Sequence, residues 1–205
     1  WELGAEAVEI DFHLSKDGRL MVIHDANTKR TTGADMAVAD TESSVLRTLD
    51  AGSHKGPEYA GEKIPFVEEI LPLIPSGRKL FIEIKCGPEA LPDLKRIIDD
   101  SGKEPSIVII GFGFDTVVES KRLMPGIPTY WLAGTAKDET TGAFIPHDPA
   151  LVGKVKTAGL DGLDFHYAGI DSTFVAAAKA AGMEVHAWTV DDPAEFQRLA
   201  ALGID

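Results

Sequence analysis

The sequence predicts an α/β fold, a (β/α)8 barrel of the TIM type, and three observations carry that prediction. Strand-like and helix-like segments alternate past residue 78, glycines stand where the helix-like segments should stop, and carboxylates gather at the C-terminal ends of several different strand-like segments. Repeated βα units make a parallel sheet, open or closed, and functional groups spread over several strand ends are the barrel pattern. No G-x-G-x-x-G loop follows a strand, which weakens a dinucleotide-binding alternative.

Trp1–Leu3 read as the last turn of a helix, because the opening WELGAEAVEID repeats the helix, glycine, strand phase of AAGMEVHAWTV and TAGLDGLDF. Ala7–Phe12 and Arg19–Ile23 are β-prone and flank Asp17-Gly18, a dipeptide that suits the positive φ values of a type I′ turn. A β-hairpin extension is therefore predicted. With Asp17 and Gly18 as the two turn residues, partners have numbers summing to 35, so Asp11 lies opposite His24, roughly 5 Å apart at Cβ. Glu9 shares their face, since side chains alternate along a strand. Residues 33–66 are a polar, Gly-rich connection with one short helix at Ser44–Leu49.

Further strands are predicted at Leu80–Ile84, Ile107–Ile110, Thr129–Leu132, Gly162–Phe165 and Glu184–Val190, with helices at about Pro88–Asp100, Thr116–Met124, Ala150–Ala158, Ser172–Ala181 and Pro193–Leu202. Asp115, Asp171 and Asp192 are candidate N-caps, the last followed by Pro193 at the favoured first position. Gly102, Gly126, Gly159, Gly182 and Gly203 are candidate left-handed stops. Six barrel strands are counted, so the eight-stranded barrel is expected to lack its first and last strands within residues 1–205, which read as a single domain.

At 205 residues the chain can bury one sizeable core, and its 44% hydrophobic and 26% charged content is that of an ordinary globular protein. No stretch nears the roughly 18 apolar residues of a membrane span. The net charge of −13 argues against a nucleic-acid partner but not against a small anion, because a bound cation can dominate the local field. Cys86 is the only cysteine, so no intrachain disulfide can form. The first residues read as the middle of an element, so no leader is legible, and the compartment stays open with the cytoplasm as default.

The chemistry-bearing residues are Glu9, Asp11 and His24, joined by Glu83 and Lys85 at the end of the next barrel strand. An amphipathic hairpin with a solvated acidic face, and an E-x-K ion pair, are the bland alternatives. The continuous apolar run Leu20–Ile23 argues for burial instead, where clustered carboxylates need a cation. Three carboxylates make a hard-cation site for Mg²⁺, Ca²⁺ or Mn²⁺, and an adjacent lysine suits a phosphate oxygen. Among the other polar residues, His13 divides evenly between substrate contact and open surface. His54 reads as a solvated loop histidine, His166 and His186 as structural, Cys86 as inert, and Phe112 and Phe114 as core or an apolar wall.

The segments GAEAVEIDFHLSKDG, MVIHDANTKRTTG, LRTLDAGSHKGPEYAGEKIP, FIEIK and VHAWTVDDP, in this order, make the chain resemble the glycerophosphodiester phosphodiesterase family, related to phosphatidylinositol-specific phospholipase C. The resemblance implies a (β/α)8 barrel that splits a small-molecule glycerophosphodiester into glycerol 3-phosphate and an alcohol. By position it implies that Glu9, Asp11 and Glu83 bind a divalent cation, Mg²⁺ or Ca²⁺. It makes His24 one of two acid/base histidines, Lys85 a phosphate contact and Trp188 a pocket wall. The family's His-Arg-Gly motif is expected before Trp1, so residues 1–205 alone are expected to lack the second histidine. A non-catalytic barrel binding a phosphodiester or a metal is the alternative of a different class. A barrel aldolase or isomerase ranks last, since its lysine would be desolvated rather than set beside Glu83.

Overall fold

The computed structural model describes residues 1–205, and it opens on the predicted hairpin. β1 (Ala7–Leu14) and β2 (Leu20–Val22) pair antiparallel. Their register differs by one residue from the predicted one: Phe12 faces Val22, His13 faces Met21 and Leu14 faces Leu20, so partners sum to 34. Turn chemistry is the reason. A type I′ turn needs positive φ at both central residues, and no residue other than glycine has positive φ here. Ser15 N donates to Arg19 O and Gly18 N to Ser15 O, each at 2.9 Å. Gly18 alone turns left-handed, at φ 79°. The loop is thus the three-residue type with a bulge, Lys16-Asp17-Gly18. The Asp17 carboxylate is engaged elsewhere, accepting from Ser15 Oγ at 2.7 Å, Ser43 N at 2.7 Å and Ser43 Oγ at 2.6 Å.

The connection after β2 is built from single turns, chiefly α1 (Lys29–Thr32), α2 (Ser43–Leu46) and α3 (Val67–Ile70). α2 stops short of the predicted Leu49, and the Lys63 ammonium takes the carbonyls of Thr48 and Leu49 at 2.9 and 3.3 Å. These turns hold together because they cover a small apolar cluster of Met21, Ile23, Val38, Leu46 and Ile64. Each such side chain, fully buried, contributes roughly 1.5–3 kcal/mol. Trp1–Leu3 form a turn closed by Gly4 N on Trp1 O at 2.9 Å, with Gly4 at φ 85°.

β3 (Lys79–Ile84) lies parallel to β1, and α4 (Leu91–Ser101) turns Leu91, Leu94, Ile97 and Ile98 inward. β4 (Ile107–Gly111) is buried at every residue, as its unbroken apolar run requires. The chain divides inside β4 into two compact units, Trp1–Ile109 and Ile110–Asp205. The first carries the strand order β2-β1-β3-β4.

In the second unit, β5 (Thr129–Ala133), β6 (Gly162–His166) and β7 (Glu184–Trp188) are parallel neighbours. They alternate with α5 (Phe114–Leu123), α6 (Ala150–Thr157), α7 (Ser172–Ala181) and α8 (Pro193–Leu202). Phe165 stacks on Phe174 at 5.4 Å and meets the edges of Trp131 and His147, forming the centre of that core. Asp171 and Asp192 cap α7 and α8 as predicted, accepting from Phe174 N and Ala194 N at 2.8 Å. Asp115 does not cap: α5 begins one residue before it, with Gly113 at the cap position. Gly102, Gly159, Gly182 and Gly203 are left-handed, whereas Gly126 is not, since α5 ends at Leu123 and leaves the helix through Met124 at φ −128°, ψ 64°. No helix is long and apolar enough to cross a membrane.

Candidate active site

Glu9 and Asp11 are two apart on β1 and so project to one face. The parallel register sets Asp11 beside Glu83 and Glu9 beside Phe81. The carboxylates of Glu9, Asp11 and Glu83 each offer an oxygen within 4.8 Å of the others. Exposure falls along the set, from an exposed Glu9 through a half-buried Asp11 to a buried Glu83. Burial first, and the Asp11 charge second, push the Glu83 carboxyl above its ordinary range, against the opposing pull of Lys85. Lys85 Nζ lies 2.7 Å from Glu83 Oε1 and 3.1 Å from Asp11 Oδ1. Burial works against its ammonium, yet these two ion pairs outweigh it and hold the Lys85 pKa above the usual value. An all-carboxylate set, with no sulfur or imidazole donor, fits a hard divalent cation.

His24 lies one residue further along than predicted. Ile23 N donates to Asp11 O at 3.0 Å, so Ile23 rather than His24 meets Asp11 across the hairpin. His24 follows the end of β2, and its side chain is 62% exposed. His13 links it to the carboxylate face: His13 Nε2 donates to the His24 carbonyl at 3.1 Å. Burial, foremost, pushes the His13 imidazole below its ordinary value, against the pull of this hydrogen bond. The His24 ring meets Asp25, Nδ1 to Oδ1 at 2.7 Å, and Arg30 forks onto the same carboxylate, Nε to Oδ2 at 2.6 Å and Nη2 to Oδ1 at 3.1 Å. The sequence reading placed no role on Asp25 or Arg30. Its one available signal was the adjacency in His24-Asp25, while Arg30 comes into reach only through the tight turn of residues 25–30.

The remaining candidates separate clearly. His54 sits exposed in a turn. Burial pushes the Cys86 thiol up to about 11, which keeps it an inert thiol. His186 stacks on Tyr130 at 4.8 Å, a structural role. Trp188, at the C-terminal end of β7 in the second unit, donates from Nε1 to Asp164 O at 2.9 Å. It meets Phe112 and His166 edge-on at 5.3 and 5.2 Å. Phe114 instead packs on Trp131 at 4.9 Å.

The family model of the glycerophosphoryl diester phosphodiesterase family matches residues 1–205, and the chain belongs to that family. A glycerophosphodiester phosphodiesterase of Caldanaerobacter subterraneus subsp. tengcongensis is 31% identical over all of this chain and 82% of its own length. One from Bacillus subtilis is 27% identical over 99% of this chain and 73% of its own. Among solved structures, an Oleispira antarctica phosphodiesterase in complex with its product sn-glycerol-3-phosphate superposes with a TM-score of 0.86 at 28% identity, covering 100% of this chain and 81% of that one. A glycerophosphodiester phosphodiesterase of Parabacteroides distasonis gives 0.77 at 26% identity, with 100% and 79% covered.

Proposed function

We propose that this chain hydrolyses glycerophosphodiesters to glycerol 3-phosphate and an alcohol, with Glu9, Asp11 and Glu83 holding one Mg²⁺ or Ca²⁺. The observation that carries the reading is the carboxylate triad with Lys85 bridging Asp11 and Glu83, in a chain whose whole length matches a phosphodiesterase family. Residues 1–205 are read as one such domain. When bound, the cation supplies Lewis acidity toward a phosphate oxygen and lowers the pKa of an attacking hydroxyl. Lys85, an ammonium already held among carboxylates, exchanges part of its ion pairing for a phosphate oxygen. His24 gives a proton to the departing alcohol as general acid. Trp188, at the C-terminal end of β7, keeps the substrate-contact role that the family resemblance gives it.

The test has two arms. Full-length protein is incubated with glycerophosphocholine and Mg²⁺ or Ca²⁺, and glycerol 3-phosphate release is followed with and without chelator. Release that stops on chelation is expected, and its absence with both ions would overturn the activity. Titration calorimetry then compares wild type with Glu9→Ala and Asp11→Ala. Each variant should bind the ion far more weakly, because hard cations want six or more oxygens. Unchanged binding in both would remove the site.

A further inference from the structure

The His24 side chain is mostly solvent-exposed, at 62%, yet the residue is held at both its backbone and its ring. From β1, His13 Nε2 holds its carbonyl. From the other side, Asp25 Oδ1 lies 2.7 Å from its Nδ1. An ionised carboxylate can only accept. The Arg30 fork first, and His24 second, keep the Asp25 carboxyl well below the usual carboxylate range, so it is ionised at neutral pH. Nδ1 must therefore carry the proton, and in the neutral ring Nε2 is the bare nitrogen. Which ring nitrogen works is set by the bond the other one makes.

Arg30 is built into a rigid frame. It sits in α1, whose N-terminal neighbour Thr28 is fully buried. Thr28 Oγ1 donates to Ala34 O at 2.6 Å, and Thr28 O accepts from Thr32 N and Thr32 Oγ1 at 2.9 Å. Asn27 ties Lys29 N to Asp35, at 2.8 and 2.7 Å. Gly33 closes the turn at φ 75°, a conformation that favours glycine. Arg30 itself is exposed, and exposed ion pairs add little to stability. The frame therefore acts on orientation.

We propose that Asp25 and Arg30 are positioning residues for His24: Asp25 keeps one proton on Nδ1, so that Nε2 is the nitrogen that takes up a proton from solvent and, in the imidazolium form, gives it to the leaving alcohol, and Arg30 locks the Asp25 carboxylate by its two-point fork. The proposal rests on His24 being the general acid and deepens that reading. A two-point guanidinium contact sets the plane of the carboxylate, which a lysine contact cannot do.

The experiment reads the tautomer directly, by ¹⁵N shifts of the His24 ring in full-length protein at a pH where the ring is neutral, alongside steady-state kinetics. Wild type should show Nδ1–H. Asp25→Asn should show Nε2–H, because the new amide donates to Nδ1, and kcat should fall roughly 10²–10⁴-fold with KM little changed. Arg30→Ala should give a tautomer mixture and a kcat loss of about 10–100-fold, with Arg30→Lys between it and wild type. An Nε2–H ring in wild type overturns the proposal, as does an Nδ1–H ring that persists in Asp25→Asn, and the wild-type measurement depends on no variant folding. An Asp25-dependent Nδ1–H signal in a protein that hydrolyses no glycerophosphodiester would instead sink the activity while leaving the clamp in place.

Discussion

At the scale of single residues, the site is a contest between one ammonium and three carboxylates. Lys85 pairs with Asp11 and Glu83 at 3.1 and 2.7 Å, two of the three carboxylates a divalent cation would take. A like charge a few Å away costs a bound cation a few kcal/mol at an effective dielectric of about 20, less whatever a swing of the lysine relieves. Lys85→Met is therefore expected to bind Mg²⁺ or Ca²⁺ about tenfold more tightly by calorimetry, while its KM for a glycerophosphodiester rises. Weaker metal binding in the variant would mean that Lys85 organises the carboxylates instead of competing for them. His24 admits a sharper test. His24→Ala should lower kcat by roughly 10²–10⁴, the usual contribution of a general acid. That loss should shrink on a nitrophenyl ester, whose leaving group departs without a proton. Equal losses on glycerophosphocholine and on the aryl ester would exclude the acid role.

At the scale of elements, what was legible in the sequence depended on how local its cause is. α7 and α8 run over the predicted residues because Asp171, Asp192, Pro193, Gly182 and Gly203 mark their ends through contacts within a few positions. The carboxylates of β1 were legible as a face because alternation is a property of one strand, whereas their alignment with Glu83 is set by the parallel register of β1 and β3. Asp115 and Gly126 misled because the start of α5 moved to Phe114 and its end was taken by Met124. The hairpin misled for a tertiary reason: Asp17 answers to Ser43, 26 positions away, which no reading of the dipeptide contains. That bond has a pH signature. The Ser43 hydroxyl, foremost, holds the Asp17 carboxyl well below the usual range. A depressed folded pKa gives stability that is present above the unfolded value of about 3.9 and is lost as pH falls through the folded one. Asp17 is exposed, so solvent competition keeps the contribution near 1 kcal/mol. Asp17→Ala should lower the urea midpoint at pH 7, and the gap to wild type should narrow below about pH 4. A gap that stays constant to pH 3 would assign the loss to the loop's packing and not to the charge.

At the scale of the whole molecule, the chain carries a net charge of −13 and concentrates part of it in one partly buried cluster. In the metal-free protein the raised Glu83 carboxyl contributes stability that is lost as pH rises through that folded pKa, while the Lys85 ammonium offsets part of the loss. A cation bound there adds binding energy, since anything that binds only the folded state stabilises it by mass action. At a free concentration a hundred times its dissociation constant, the ion contributes about 2.7 kcal/mol. For a protein of this length each kcal/mol is worth roughly 2–4 °C, so Mg²⁺ or Ca²⁺ should raise Tm by roughly 5–10 °C. General screening of the −13 charge would also raise Tm, and sodium chloride at matched ionic strength measures that share. Glu83→Gln separates the two effects. Its metal-free Tm reads the net of the buried charge removed and the Lys85 ion pair lost, and its response to the divalent ion should shrink to the sodium chloride level. A divalent-dependent rise that survives in Glu83→Gln, Asp11→Asn and Glu9→Gln alike would place the stabilising ion away from these three carboxylates.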